Sequence, residues 1–423
     1  MRRVLIVCPK EQCAAISRGL AAYSNYELLF DAIEDIRAQG VVAYTKQRIE
    51  TLRSGVLRVD GIVGVNEMSC TIASIIANAV GLTGPTLEAV LGCQNKYISR
   101  QRQQNAVPAH IPSFCLAKEY LARSVLEQSY PRFTKPVRSR LSFGAHIVNS
   151  AQHMQATLER WQAHVERENK DYAALMAHFG VDHEHLHTYN EFLCEELLVG
   201  RQVTLDGYVF EGAIHFFGVT ASIFHPNTIS FVRFDYPYSF DPILEDQVRH
   251  VAQLLVDELK LNNTLFNIEF KIDEDRQKVF VIEIHARLSF QFSSLIEKVT
   301  GYSPLHAMCA IACGIDPQQE ARCAQPTFPL CSICVLRTEQ NSRVLRRPSA
   351  QELDVVARQF PEVEVTVLVE AGKLLSDYIQ DAHTFRYAFC SIPGADARDI
   401  ARKRHAIEAL LPFEFEPVAA PGV

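Results

Sequence analysis

The sequence predicts an α/β protein in which a parallel N-terminal sheet precedes an antiparallel core. Strand and helix signals alternate through the first ninety residues, which is typical of parallel strands joined by crossover helices. From Glu191 onwards, β-hairpin signals replace this alternation and indicate antiparallel pairing. The chain has 423 residues, which corresponds to roughly two to four domains of ordinary size.

The N-terminal domain is predicted from short apolar strands and the helices between them. Val4–Cys8, Tyr26–Leu29 and Gly61–Gly64 have the composition of buried strands. The predicted helices are Glu11–Ala22, Gln47–Leu57 and Cys70–Val80. The residues after the first strand, Pro9-Lys10-Glu11, lack the glycine pattern of a dinucleotide site, so we do not expect a nicotinamide or flavin cofactor.

The middle of the chain is predicted to hold polar helices. One helix begins near Asn95 and ends before Pro108, and a second spans Ala151–Lys170. The next segment, 171–189, contains four of the fifteen histidines, namely His178, His183, His185 and His187. We expect these histidines to form a solvated surface, because metal ligands are normally gathered from ordered elements.

The first part of the antiparallel core is predicted as a β-meander from 191 to 221. Hairpin turns are predicted at Asp206-Gly207 and at Glu211-Gly212. A helix follows at Pro242–Leu259, where Asp241 is suited to cap the N-terminus and proline to occupy the first helical position.

Composition indicates a globular protein, and cysteine usage favours the reducing cytoplasm. Hydrophobic residues make up 48% of the chain and charged residues 22%, with a net charge of −7. This balance argues against nucleic acid or an anionic membrane surface as the main partner. The first apolar run is too short for a signal peptide. The twelve cysteines include CxxxC and CxxC pairs that lie in helical and strand-like stretches, which favours buried free thiols over a zinc site.

The most informative charges lie on a second predicted hairpin, 266–285. Strand alternation places Glu269 on one face of the first strand, and Glu283, His285 and Arg287 on one face of the partner strand. If these faces coincide, two carboxylates, an imidazole and a guanidinium converge. Facing carboxylates repel unless a cation lies between them, and Mg²⁺ bridging carboxylates and phosphates meets that need. The alternative is a row of exposed charges, which the apolar residues of the opposite face disfavour.

In this pattern the sequence resembles the ATP-grasp superfamily. That family carries an acidic residue on one strand and Glu-x-Asn-x-Arg on the next, and Glu269 and Glu283–Arg287 match those positions. Gly301 closes the following helix. Asn95–Arg100 resembles the family's Asp/Asn-Lys-x-x-x-Arg helix start, and Phe133–Pro136 resembles the strand that carries its second phosphate-binding lysine.

The resemblance implies ATP and Mg²⁺ as cofactors. The strand Leu193–Gly200 resembles the hinge that receives adenine, and the loop 139–144 resembles the loop that closes over the phosphates. The implied cofactor-binding residues are Lys96, Lys135, Ser142, Gly144, Glu195, Glu196 and Leu198. The implied metal ligands are Glu269, Glu283 and His285, and the implied catalytic residues are Arg287, Lys135 and Ser289.

Three positions depart from the family's pattern. His285 replaces the family's asparagine, and because imidazole is a softer ligand than an amide oxygen, Mn²⁺ stays open beside Mg²⁺. The phosphate loop has one glycine and is flanked by Arg138 and Arg140. Gln202 stands after the hinge, where an acidic residue is common.

The resemblance implies an ATP-dependent ligase that joins a carboxylate, expected to be an amino acid, to an amine through an acyl-phosphate. Carboxylation of biotin is the first alternative. Gln291 argues against it, because that position in biotin carboxylases is a glutamate that serves as the base for bicarbonate. A nucleotide-binding regulator without turnover is the second alternative. The five charged residues Lys96, Lys135, Glu269, Glu283 and Arg287 argue against a regulator, since binding alone has no need of metal carboxylates.

The predicted domains are an N-terminal Rossmann-like domain at 1–92, an ATP-grasp domain at 93–315 with a mobile lid at about 110–195, and a small C-terminal α/β module at 316–423. The predicted partners are the small-molecule carboxylate and amine substrates. A symmetric homodimer is the usual assembly of an enzyme of this size.

Overall fold

The fold was analysed in a computed structural model. The structure describes residues 1–139, 143–179, 187–226, 228, 230–319, 328–378, 380 and 384–418. Ser142, His183 and His185 lie outside these ranges. Within them, no helix combines the length and the hydropathy that crossing a bilayer requires.

The N-terminal domain is a three-stranded parallel sheet with helices around it. Its strands are β1 (Arg2–Cys8), β2 (Tyr26–Ala32) and β3 (Gly61–Gly64), arranged in the order β2-β1-β3. Its helices are α1 (Cys13–Gly19), α2 (Ile33–Gln39), α3 (Val41–Arg53), α4 (Glu67–Val80) and α5 (Leu87–Gln94). The predicted alternation of strands and helices is therefore confirmed. The Asn66 side chain accepts from the Ser69 backbone at 2.9 Å and so begins α4 directly after β3.

The lid is a small antiparallel sheet inserted after α6 (Lys96–Ala106). Its strands are β4 (Phe114–Leu116), β5 (Arg132–Pro136), β6 (His146–Val148) and β7 (Phe192–Glu196), in the order β4-β7-β5-β6. Its helices are α7 (Ala117–Leu121), α8 (Ala151–Glu168) and α9 (Lys170–Phe179).

Helix α9, in the segment 171–189 that was expected to be solvated, is buried along one face. Tyr172, Leu175 and Met176 are fully buried in the apolar core of the N-terminal domain. Outside this stripe, His178 and His187 are exposed. These three apolar residues recur at the three- and four-residue spacing of a helix face, although polar residues separate them in the sequence. They place that face of α9 against α3.

The core is an eight-stranded antiparallel sheet in the order β12-β11-β8-β9-β10-β13-β16-β15. Its first five strands in the chain are β8 (Arg201–Phe210), β9 (Ala213–Phe224), β10 (Phe231–Tyr236), β11 (Thr264–Asp273) and β12 (Lys278–His285). Helix α10 (Pro242–Glu258) covers one face, where Leu244, Val248 and Leu255 pack against apolar residues of β8 and β11. The opposite face therefore remains for polar residues.

One predicted turn is wrong. Asp206-Gly207 lies inside β8, and the chain reverses only at Glu211-Gly212, where the second predicted turn is observed. The pairing of β8 with β9 shifts register between Asp206 and Gly207, so the Asp-Gly pair forms an irregularity within the strand. An added Cβ at Gly207 would come 2.4 Å from the His215 carbonyl oxygen, which explains glycine at this position.

The C-terminal part extends the core sheet and adds a short two-stranded sheet. Helices α11 (Ser293–Thr300) and α12 (Pro304–Ala312) lead to β13 (Leu330–Thr338), which pairs with β10. The remaining elements are β14 (Ser342–Arg346), α13 (Ala350–Gln359), β15 (Glu364–Val367), β16 (Phe385–Gly394), α14 (Ala397–Leu410) and β17 (Glu414–Pro417). The sheet is continuous across residue 315, so the boundary at 316 stays a prediction.

Candidate active site

The acidic residues of the second hairpin converge on one face of the core sheet. In the register of β11 and β12, Glu269 lies directly opposite Glu283, and Asn267 lies opposite His285. One ligand atom from each of Glu269, Glu283 and His285 lies within 4.8 Å of the others. Two carboxylates and an imidazole at this separation fit a divalent cation such as Mg²⁺ or Mn²⁺.

The two facing carboxyl groups have opposite tendencies to ionise. Burial, and then the negative charge of Glu283, raise the pKa of Glu269 to about 8. Burial also opposes ionisation of Glu283, but Lys96 and His285 outweigh it and hold its pKa well below the usual value. A divalent cation between the two groups would remove the repulsion, because it supplies the positive charge that Glu269 lacks.

Lys96 reaches this pair from the first turn of α6. Its Nζ lies 3.5 Å from Glu283 Oε2 and donates to the Ser139 carbonyl at 2.9 Å. The Asn95 side chain caps the helix by accepting from two backbone amides, which fixes where Lys96 emerges. Burial and the like charge of Lys135 lower the pKa of Lys96, although Glu283 opposes this shift.

Lys135 and Glu195 form a buried ion pair in the lid, on neighbouring strands β5 and β7. Lys135 Nζ lies 2.8 Å from Glu195 Oε2, and Arg100 Nε lies 2.5 Å from Glu195 Oε1. Burial opposes the charge on Glu195, but the two cations still lower its pKa. Both carboxylate oxygens are thus engaged by cations. The adenine contact predicted for Glu195 stays a prediction, whereas its contact with Lys135 had not been predicted.

The other predicted nucleotide residues lie on the lid and on its connection to the core sheet, and of these Gly144 lines the cleft. Glu196 is exposed at the end of β7, and Leu198 is half-buried in the connection to β8. Gly144 has a φ of +71°, and an added Cβ would lie 2.9 Å from Pro136, so this turn of the predicted phosphate loop requires glycine. Beside it, the Phe143 ring packs against Trp161, with the ring centroids 4.5 Å apart.

Arg287 binds a residue that sequence reasoning missed. Its Nε and one terminal nitrogen each lie 2.7 Å from Glu67 Oε1. Glu67 is the first residue of α4, directly after the capping Asn66, and His285 Nδ1 lies 3.9 Å from the same oxygen. The asparagine cap after a predicted strand was the available signal that Glu67 sits at a strand end. The pair joins the N-terminal domain to the core.

The Glu67–Arg287 pair predicts a loss of stability in acid. Burial opposes the charge on Glu67, but Arg287 and His285 lower its pKa from 4.5 to about 2. Because the pKa of Glu67 is lower in the folded state than in the unfolded state, the ion pair stabilises the folded protein at pH values above the ordinary pKa of glutamate. That contribution disappears as the pH falls towards 2. At about 1.4 kcal/mol per pKa unit, the contribution is about 3 kcal/mol.

Urea unfolding of the unaltered protein and of Glu67→Gln between pH 6 and pH 2.5 measures this contribution. The difference in unfolding free energy between the two proteins should shrink as the pH falls. Parallel curves for the two proteins would show that Glu67 titrates normally in the folded state.

Ser289 and Gln291 follow Arg287 along the edge of one large cleft. This cleft has a volume of about 2790 Å³ and is bounded by the N-terminal domain, the lid, the core sheet and strand β15. Its size exceeds the ~300–1,000 Å³ of a pocket for one drug-sized ligand. The cleft therefore has room for a nucleotide and further substrates.

Comparison with known proteins identifies the domain that carries this site. Residues 128–293 match the ATP-grasp domain family. No curated protein matches the sequence. These residues include Lys135, the hairpin that carries Glu269 and Glu283, and Arg287.

Solved structures share the fold along nearly the whole chain. An L-amino acid ligase from Bacillus licheniformis superposes with a TM-score of 0.74 at 13% identity, covering 98% of this chain and 99% of that one. The biotin carboxylase domain of a Hydrogenobacter thermophilus 2-oxoglutarate carboxylase gives 0.67 at 13% identity, with 98% and 91% covered. N5-carboxyaminoimidazole ribonucleotide synthetase from Thermotoga maritima gives 0.63 at 13% identity, with 98% and 99% covered. The predicted resemblance and fold class are confirmed.

Proposed function

We propose that this ATP-grasp protein is an ATP-dependent ligase that joins an amino acid, through its carboxylate, to an amine by way of an acyl-phosphate. The observation that supports this most is the convergence of Glu269, Glu283 and His285 with Lys96 and Arg287 beside one cleft. A nucleotide-binding regulator has no need of such a set, because the carboxylates serve only to hold cations on the phosphates.

ATP and Mg²⁺ are the proposed cofactors. Glu269, Glu283 and His285 would hold the metal, which, when bound, neutralises charge on the transferring phosphoryl group. Lys96 and Lys135 would bind phosphate oxygens, and each is already held in place by a carboxylate, Glu283 or Glu195. Glu196 and Leu198 are proposed to contact the adenine.

Arg287 and Ser289 are proposed to bind the carboxylate substrate. The Arg287 side chain is held by Glu67, which fixes its orientation towards the cleft that both residues line. A guanidinium at this position would stabilise negative charge on the carboxylate and on the acyl-phosphate. Ser289 is 6% exposed, so its hydroxyl is placed by its surroundings rather than by solvent.

An amino acid is proposed as the acid because the L-amino acid ligase superposes with a TM-score of 0.74, against 0.67 for the biotin carboxylase domain, over the same 98% of this chain. Biotin carboxylation is less well supported, since Gln291 lines the cleft at the position where that reaction needs a glutamate. The three domains, a homodimer and a cytoplasmic location stay predictions.

The proposed reaction is tested with purified protein, ATP, Mg²⁺ and pooled amino acids, with phosphate release and product masses as readouts. We expect phosphate release that depends on amino acids and a product equal to the summed masses minus water. Hydroxylamine in place of the amine should give a hydroxamate from the acyl-phosphate. Nucleotide binding without phosphate release, across all pools, would contradict the proposal and favour the regulator.

We predict that His285 gives the site a preference for Mn²⁺ over Mg²⁺, and that asparagine at this position would remove the preference. Imidazole nitrogen binds Mn²⁺ better than it binds Mg²⁺, whereas an amide oxygen suits both. His285→Asn should therefore reduce the ratio of Mn²⁺ to Mg²⁺ affinity by about tenfold, a difference of about 1.4 kcal/mol. Calorimetric titration of each metal in the presence of ADP measures this ratio. An unchanged ratio would show that His285 is not a ligand.

A further inference from the structure

The face of the core sheet that carries the acidic hairpin continues onto one more strand, β8. His285 on β12 lies opposite Asn267 on β11, which lies opposite Asp206 on β8. A second row runs parallel to it through Glu283, Glu269 and Thr204. Neighbouring strands are about 4.8 Å apart, so Asp206 lies about 10 Å from His285, beside the metal-binding group.

Asp206 is a buried carboxyl group without an ion pair in the described structure. It is 4% exposed, and its Oδ2 makes no hydrogen bond with any described residue. Burial raises its pKa to about 7, although Ser289, Asn267 and Arg287 each lower it. The other titratable group that faces it among the described elements is Tyr236 on β10, whose own pKa the Asp206 charge raises.

Ser289 lies between Asp206 and the cleft. Its hydroxyl is close enough to the Asp206 carboxyl to favour the charged form of that group, and the residue lines the cleft beside Arg287. Asp206 itself does not line the cleft. Ser289 is therefore the residue through which Asp206 can communicate with the cleft.

Amide formation requires a group that accepts a proton. An amino acid carries its amine as an ammonium ion near neutral pH, and the amine attacks only as its proton leaves. Glu67, Glu195 and Glu283 are unsuited to this task, because each forms an ion pair with an arginine or lysine and has a lowered pKa. An accepting group works best when it changes charge near the operating pH.

We propose that Asp206 accepts, through the Ser289 hydroxyl, the proton that the amine loses as it attacks the acyl-phosphate. The amine nitrogen forms a bond to the carbonyl carbon, and the bond from that carbon to the phosphate oxygen breaks. Ser289 takes the proton from nitrogen as its own hydroxyl proton passes to Asp206, and inorganic phosphate leaves. This inference rests on the proposed ligase function and assigns Asp206 as the positioned acceptor behind Ser289.

Asp206→Asn separates proton acceptance from the earlier phosphoryl transfer. Asparagine keeps the shape of aspartate but cannot take a proton. We expect amide formation at pH 7 to fall by about 10²–10³-fold, within the range for loss of a general base. Hydroxamate formation should stay within about threefold, because hydroxylamine is uncharged at neutral pH, attacks without first losing a proton, and can release its proton afterwards to water or to the departing phosphate. The rise of amide formation with pH around 7 should also disappear.

Two further variants keep the test decisive. Ser289→Ala should lower both rates, because Ser289 is also proposed to bind the carboxylate, but it should lower amide formation about tenfold further than hydroxamate formation. This difference carries the test if Asp206→Asn does not fold. Thr220→Val is the matched control, since Thr220 is also fully buried with an unpaired hydroxyl on the neighbouring strand β9 and should leave both rates unchanged.

Several outcomes would overturn the inference. Equal loss of amide and hydroxamate in Asp206→Asn, with normal folding, would show that Asp206 only supports the site. Full amide formation in either variant would show that the proton leaves by another route. If the unaltered protein forms neither product from any amino acid, the proposed ligase function fails and the proton route fails with it.

Discussion

Replacing Glu283 with alanine should lower ATP-dependent hydroxamate formation by about 10³-fold, the upper end of the cost of losing one electrostatic contact to a transition state. Glu283 faces Glu269 directly and also lies 3.5 Å from Lys96, so the change removes a proposed metal ligand and the carboxylate that holds a lysine proposed to bind phosphate. Folding should be little affected. The change leaves Lys96 without its partner, but it also removes the repulsion that raises the pKa of Glu269.

A matched control lies on the same hairpin. Glu274 is exposed in the turn between β11 and β12, so Glu274→Gln removes one carboxylate charge outside the site. Its rate and melting temperature should equal those of the unaltered protein. A rate for Glu283→Ala within tenfold of the control would mean that the hairpin does not hold the metal needed for turnover.

Replacing Glu195 with alanine should lower the unfolding free energy by about 3–5 kcal/mol, which is the usual cost of removing one partner from a buried ion pair. The side chains of Arg100 and Lys135 are 3% and 7% exposed, and both would lose their anion. ATP with Mg²⁺ should restore part of this stability, since the phosphates supply negative charge to Lys135. Urea unfolding with and without nucleotide measures both effects.

The Lys118–Glu191 pair gives the corresponding control. It lies on the same lid, but Lys118 is 60% exposed, so Glu191→Ala should cost about 0–1 kcal/mol. Equal destabilisation by Glu195→Ala and Glu191→Ala would contradict the role of Glu195 as the anion that holds Lys135. Normal stability with a selective loss of ATP affinity would instead support the adenine contact predicted from the sequence.

Local patterns predicted the parts of the site that lie on one hairpin. Glu269, Glu283 and His285 were predicted to share a face because strand alternation acts over a few residues, and the register confirms that they do. Glu67 was missed because it meets Arg287 across 220 residues of sequence. The sequence around either residue does not indicate that the two side chains meet in the folded protein.

The wrong turn at Asp206-Gly207 has a related cause. The dipeptide has the composition of a tight turn, but pairing with β9 and β11 on both sides keeps it in a strand. Tertiary pairing thus outweighed the local preference. The same pairing buries the Asp206 carboxyl group, which a turn at this position would have exposed to solvent.

The burial of α9 limits how the protein can be shortened. Because Tyr172, Leu175 and Met176 complete the apolar core around β1 and α3, a chain that lacks residues 110–195 would leave that core open to water. The N-terminal domain therefore depends on a segment that follows it by about eighty residues, and the two have to be produced together. Proteolysis within α9 should accordingly unfold residues far upstream of the cut.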